Sequence, residues 1–207
     1  MVDARRPLGR HMEIREQILT EATRLFARQG FNGTSLQSIA DAVGIRKPSL
    51  LYHFPSKIDL RERVLDALLS HWNEVLPRLL VASASGDRFE GVMQELILFF
   101  RTDPDRARLL VRELLDRPDD MRARLETHVQ PWLAIVSEQI ERGRDLGLMH
   151  RDVNARLYAI NIIHLVVSSI AALDSLSMYE GTHPKNATER HNAELMRFAR
   201  AGLFTES

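Results

Sequence analysis

Residues 34–57, TSLQSIADAVGIRKPSLLYHFPSK, restrict the chain more than any other stretch. Leu36, Ile39, Ala40 and Val43 recur at the spacing of one helix face, and Thr34 and Ser35 stand just ahead of them as N-cap residues. Gly44 follows, the residue that enters positive φ without a steric cost and so permits a sharp turn. Ile45 and Leu50 resume the apolar face. Pro48 fits the first turn of a second helix, where its missing N–H breaks no intrahelical bond. The pattern predicts a helix-turn-helix. Its second helix carries Arg46, Lys47, Ser49, Tyr52 and His53 on polar positions, and these residue types contact DNA phosphates and, for Arg and Lys, guanine edges.

Charge supports that reading only through its distribution. The 28 basic and 28 acidic residues cancel over the 207-residue chain, but residues 1–57 hold nine basic against five acidic, a net +4 that leaves −4 for the remainder. A basic head on an acidic body suits a protein that shows DNA one end only. There is no cysteine, so neither a disulfide frame nor a thiolate metal site can form. The N-terminus lacks the apolar core of a signal peptide, and the expected location is the cytoplasm.

Apolar residues recur at three and four almost throughout, so the fold class is all-α: a three-helix domain over 1–57 that carries the helix-turn-helix, then a helical body over 58–207. Residues 1–11 read as a basic arm, loose or reaching into a minor groove through Arg5, Arg6 and Arg10. A first helix runs from Met12 to Gln29, with Gly30 at its C′ position. Ser56 to Asp59 reads as a capping box that opens a helix to about Leu80, carrying Leu60, Val64, Leu68, Trp72 and Val75 on one face. Small and polar residues at 82–87 predict a loop. Helices are expected over Phe89–Arg101, from Asp103-Pro104 to Asp116, and over Asp119–Arg144, the last kinked at Pro131. Asp152 is expected to cap a helix apolar on nearly all sides from Leu157 to Leu173, interrupted too often by polar residues to span a membrane. A loop over Tyr179–Asn186 leads to a last helix, Thr188 to Leu203.

The motif 34–57, preceded by Gly30-Phe31-Asn32-Gly33 and including Leu50-Leu51-Tyr52-His53-Phe54-Pro55-Ser56-Lys57, resembles the TetR family of bacterial transcription regulators over about residues 12–65. The chain departs from the family at Leu51, commonly Tyr, and at Arg46, where a small hydroxyl residue is frequent. The resemblance implies a homodimer, joined through the last two long helices, that binds a palindromic double-stranded operator as a repressor and leaves it when a small effector binds, which makes 1–57 the DNA-binding domain and 58–207 the effector-binding and dimerisation domain. A regulator that binds DNA constitutively or answers to a protein partner is the other reading. A helical enzyme is the distant one, since no nucleophile-and-base pairing, phosphate loop or metal spacing stands out.

Within this frame Thr34 and Ser35 cap the second helix and present its N–H groups to a phosphate. Gln37 either touches a base or is solvated. Arg46, Lys47 and Ser49 face base edges, Pro48 either meets a thymine methyl or only starts the helix, and Tyr52 and His53 bond phosphates. By resemblance, Lys57 is a phosphate clamp. In the body, Phe89, Met93, Phe99, Phe100, Leu110, Leu114, Trp132, Val136, Tyr158 and Leu165 either line a pocket or pack a core. Gln139, Asn161, His164 and Ser168 are polar groups set among them, able to orient a largely apolar ligand or to bond across a dimer seam. No metal and no cofactor is expected.

Overall fold

The computed structural model describes residues 6–82, 88–173 and 184–205, with side chains at 13–70, 89–173 and 189–205. Ten helices occur among the described residues: α1 Arg6–Gly33, α2 Leu36–Val43, α3 Lys47–His53, α4 Lys57–Ala82, α5 Arg88–Thr102, α6 Pro104–Asp116, α7 Pro118–His128, α8 Gln130–Asp145, α9 Ala155–Ala171 and α10 Pro184–Ala201. The fold is all-α. The chain divides into two compact units, residues 1–69 and 70–207.

In the first unit, Ile18, Ala22, Leu25 and Phe26 make the buried stripe of α1. It meets Ile39 and Ala40 of α2, Leu50 of α3, Phe54 and the first turns of α4 (Leu60, Val64, Leu65, Leu68). The expected loose arm is corrected: α1 already begins at Arg6, with Pro7 in its first turn, and residues 1–5 lie outside the described residues. The helix is interrupted at Gly30, whose φ of 74° and ψ of 168° take the chain out of the helical path. Ser56 caps α4 by accepting the Asp59 N–H at 3.0 Å. The side chains of Trp72 and Val75 lie outside the described residues, as do the expected loop at 83–87 and residues 174–183 of the connection before α10.

In the second unit α9 packs along α6 and α8 and also touches α5 and α10. Phe100, Leu109, Met121, Leu133, Val166 and Ile170 form its core. The expected long helix over 119–144 is two helices. They meet at Val129, because Pro131 supplies no N–H to continue the ladder. α9 is capped by Asn154, which accepts the Leu157 N–H at 3.0 Å, and not by Asp152, which is exposed. In the single chain Leu157, Asn161, His164, Leu165 and Ser168 form an exposed stripe along this helix. α10 starts at Pro184, inside the stretch read as loop. Its end is tied down: the His150 N–H donates to Leu203 O at 3.0 Å, and Met149 pairs with Phe204 in an isolated antiparallel bridge.

Candidate DNA-binding surface and effector cavity

The turn between α2 and α3 is built from backbone bonds that Gly44 makes possible. At φ 77° it donates to Asp41 O at 3.1 Å, while the Ile45 N–H reaches Ala40 O at 3.0 Å, the paired bonds of a Schellman motif. At the other end of α2, Ser35 accepts the Ser38 N–H at 2.9 Å and donates its own N–H to Ser38 Oγ at 3.1 Å. This reciprocal box leaves Ser35 exposed at the helix start. Ser38 as the partner was missed in the sequence, because the usual reciprocal residue is Glu or Gln.

Thr34 is a correction. It is 2% exposed, and its hydroxyl lies 2.8 Å from Gly30 O and 3.1 Å from Leu25 O, one proton between two acceptors. A continuous helix would give the Gly30 carbonyl the Thr34 N–H; with the chain turned at Gly30, the hydroxyl takes that place. Thr34 joins α1 to α2, and Ser35 alone is the cap.

On α3, Leu50 is fully buried and Leu51 half-buried, so Arg46, Lys47, Pro48, Ser49 and Tyr52 are turned outward. Arg46 is the N-cap by backbone, without a side-chain cap bond. Tyr52 is 78% exposed, and its ring meets the half-buried His53 edge-on at 5.4 Å. A tyrosine this open, beside two cations and a serine, is poor packing and good contact material. Gln37 is exposed but donates to Asp41 Oδ1 at 2.7 Å, a bond it must leave to reach a base. Lys57 is held more tightly than a surface lysine, with Nζ 4.3 Å from the Phe31 ring centroid. The buried Arg61 lies 5.9 Å from the same ring.

The second unit encloses a cavity of about 420 Å³. Its walls come from α5 (Phe89, Val92, Met93, Leu96), α8 (Trp132, Val136, Gln139, Ile140, Arg142, Gly143), α9 (Tyr158, Ala159, Ile162, Ile163) and two irregular segments bearing Leu146, Leu148, Met149, Leu203 and Phe204. Trp132, Val136, Gln139, Ile140 and Gly143 follow one helical stripe beginning immediately after Pro131, and Arg142 stands off its edge. Gly143 has a steric reason: a Cβ there would come within 2.7 Å of the Met149 sulfur and terminal methyl. Phe204 closes edge-to-face on Phe89 at 5.2 Å, and Arg200 pairs with Glu90 beside them. The Tyr158 hydroxyl donates to Ala199 O, and burial pushes this phenol well above the ordinary tyrosine range.

Six of the residues read in the sequence as able to line a pocket line this cavity: Phe89, Met93, Trp132, Val136, Gln139 and Tyr158. The others do not. Phe100 and Leu110 are buried in the core. Phe99 meets Phe100 edge-on at 4.9 Å under the Arg106 guanidinium, and Leu114 is half-buried on α6. Asn161, His164, Leu165 and Ser168 sit on the exposed stripe of α9. Sequence reading missed Arg142, Gly143 and Ile140, which the α8 periodicity contained, and Leu146, Leu148, Met149 and Phe204, which no periodicity announces. Among the described residues no cluster of three or more His, Asp or Glu could hold a metal, and no helix is long and apolar enough to cross a membrane.

A short helix bearing exposed Lys47, Ser49 and Tyr52, braced by a capped partner helix, defines a helix-turn-helix DNA-binding protein. Residues 18–64 match the family described as bacterial regulatory proteins, tetR family. The biofilm operon icaADBC HTH-type negative transcriptional regulator IcaR of Staphylococcus aureus is 25% identical over 132 residues, covering 64% of this chain and 70% of that protein. Its Staphylococcus epidermidis counterpart is 26% identical over 117 residues, 56% and 62% of the two chains. Among solved structures, the ketosteroid transcriptional regulator KstR2 of Mycobacterium tuberculosis superposes with a TM-score of 0.72 at 17% identity, over 100% of this chain and 98% of that one. A transcriptional regulator from Saccharomonospora viridis, in complex with choline, gives 0.68 at 19% identity, over 94% and 100%. Residues 18–64 thus carry the DNA-binding domain of the tetR family of bacterial regulatory proteins, and the whole chain shares the all-α fold of these solved regulators.

Proposed function

We propose that the protein is a homodimeric repressor that reads a two-fold operator through α3 and is released from it by a small, largely apolar effector held in the cavity of the second unit. The exposed face of α3 carries the DNA reading: Arg46, Lys47, Ser49 and Tyr52 are all solvent-facing around a buried Leu50. Phosphates are met by Tyr52, His53, Lys57 and the Ser35 cap, and base edges by Arg46, Lys47 and Ser49, with Gln37 and Pro48 beside them. Repression is favoured by the negative regulation in the staphylococcal relatives' name.

Dimerisation is supported by apolar side chains that a lone chain leaves in water, Leu157 at 57%, Leu165 at 39% and Phe198 at 58% exposure on α9 and α10. Two α3 helices related by a two-fold would enter successive major grooves, about 34 Å apart. The release step needs only a modest coupling of about 1–3 kcal/mol between effector and DNA. This assigns residues 1–57 to DNA and the rest to effector and partner subunit.

The test is selection of DNA fragments from a random pool, with light scattering for mass. The expected result is a palindromic motif bound by a dimer, with Lys47→Ala relaxing the preference or weakening binding. A monomer, or a Lys47→Ala protein with unchanged affinity and preference, would overturn the reading.

A further inference from the structure

We propose that the effector is an amphipathic anion, with an apolar chain inside the cavity and a carboxylate at its mouth on Arg142. The inference rests on the effector reading above and sharpens it to a ligand class. Of the residues lining the cavity, Arg142 is the one that carries a charge. Of the remaining polar groups, the Tyr158 hydroxyl is engaged with Ala199 O, and Trp132 Nε1 is a buried N–H without a hydrogen-bond partner. Gln139 is the one other polar side chain on the wall, and it lies one helical turn before Arg142 on α8.

The mouth is marked by the lining residues that are also open to solvent. Leu146 and Leu148 are 74% and 58% exposed, an apolar lip that shares the cavity lining with Arg142. A wholly apolar ligand leaves that guanidinium unused, and a small polar ion leaves the walls unfilled. A chain with one anionic end satisfies both. At about 30 Å³ for a water-sized group the cavity holds roughly a dozen such groups, the size of a ten-carbon chain with its carboxylate. Arg142 now pairs with Glu138 at 2.5 Å, with the two side chains 64% and 57% exposed. So open a pair is held only weakly against water. A ligand carboxylate can therefore exchange for Glu138 on the planar fork of the arginine.

The test is calorimetric titration of the full-length protein with decanoate, 1-decanol and decylammonium, repeated on Arg142→Gln. Decanoate should bind at least tenfold more tightly than the other two, and Arg142→Gln should remove that preference while leaving decanol binding unchanged. Val136→Trp, which fills the cavity, should abolish binding of all three; a circular dichroism spectrum and melting curve matching the parent check its fold. Equal binding of decanoate and decanol, or a preference that survives Arg142→Gln, would overturn the anionic assignment and leave an apolar effector site standing. Failure of all three to bind would overturn both.

Discussion

Replacing Thr34 by valine separates two roles that the sequence runs together. Valine keeps the shape and deletes the hydroxyl, which sits 2.8 Å from the Gly30 carbonyl at the point where α1 breaks. That carbonyl has lost its helical donor, because Gly30 adopts φ 74° and ψ 168°. The site is closed to water at 2% exposure, so an abandoned acceptor there costs about 1–3 kcal/mol. The added methyl returns less than about 0.8 kcal/mol. A net loss of about 1–2 kcal/mol corresponds to roughly 2–8 °C in melting temperature for a chain of this size. Differential scanning calorimetry reads that loss directly. Operator affinity of Thr34→Val, measured by fluorescence anisotropy well below the melting range, should stay at the parent value. Ser35→Ala should instead weaken operator binding, since it removes an exposed cap. Were Thr34→Val to weaken DNA binding while leaving the melting temperature unmoved, the assignment of Thr34 to the α1–α2 joint would be wrong.

Gly44→Ala should destabilise the protein by about 1–2 kcal/mol through backbone strain alone, because φ is 77° while a Cβ there meets open space; Gly44→Asn should recover part of the loss in the same chemical denaturation series. Phe204→Ala should cost about 1–2 kcal/mol by removing the ring pair with Phe89 and its share of the cavity wall, a change read by urea denaturation followed at the far-ultraviolet helix signal. Burial raises Tyr158 above its usual value of 10.0, so the folded state keeps that proton where the unfolded state releases it. Its contribution is complete below pH 10 and is lost as pH rises beyond, and Tyr158→Phe should flatten that alkaline fall in melting temperature. A fall of the same steepness in Tyr158→Phe would place the cause elsewhere.

What the sequence made legible is what local chemistry decides. The turn at Gly44, the proline in the first turn of α3, the Asp103-Pro104 start of α6 and the stripe on α1 each depend on neighbours within five residues. Thr34 against Ser35 was not legible: both are cap residues, and what divides them is a carbonyl stranded at Gly30, visible only once the chain is folded. The same holds for Asp152 against Asn154, two residues apart and equally able to cap α9. Pro131 signalled a disturbance, but whether a helix bends or ends there depends on packing. The cavity was half legible. Trp132 and Val136 were legible by their apolar character and Gln139 as a polar group among apolar ones, whereas the lip at Leu146 and Leu148 and the seal at Phe204 come from segments with no period at all.

Asn161, His164 and Ser168 read in the sequence either as ligand contacts or as bonds across a dimer seam, since polar residues on an apolar helix suit both. Helical spacing puts Asn161, Leu165 and Ser168 on one stripe with Leu157, and Tyr158, Ala159, Ile162 and Ile163 on another. The second stripe lines the cavity and the first faces outward. One rigid helix is therefore cavity wall on one side and proposed dimer seam on the other. An occupant of the cavity can bias the seam only by binding one position of α9 better than another, since a ligand with equal affinity for both shifts nothing. With about 1–3 kcal/mol sufficient for release, a fraction of the apolar contact along Tyr158, Ile162 and Ile163 is enough. No separate relay between cavity and seam is needed, because the two surfaces are a single helix thick.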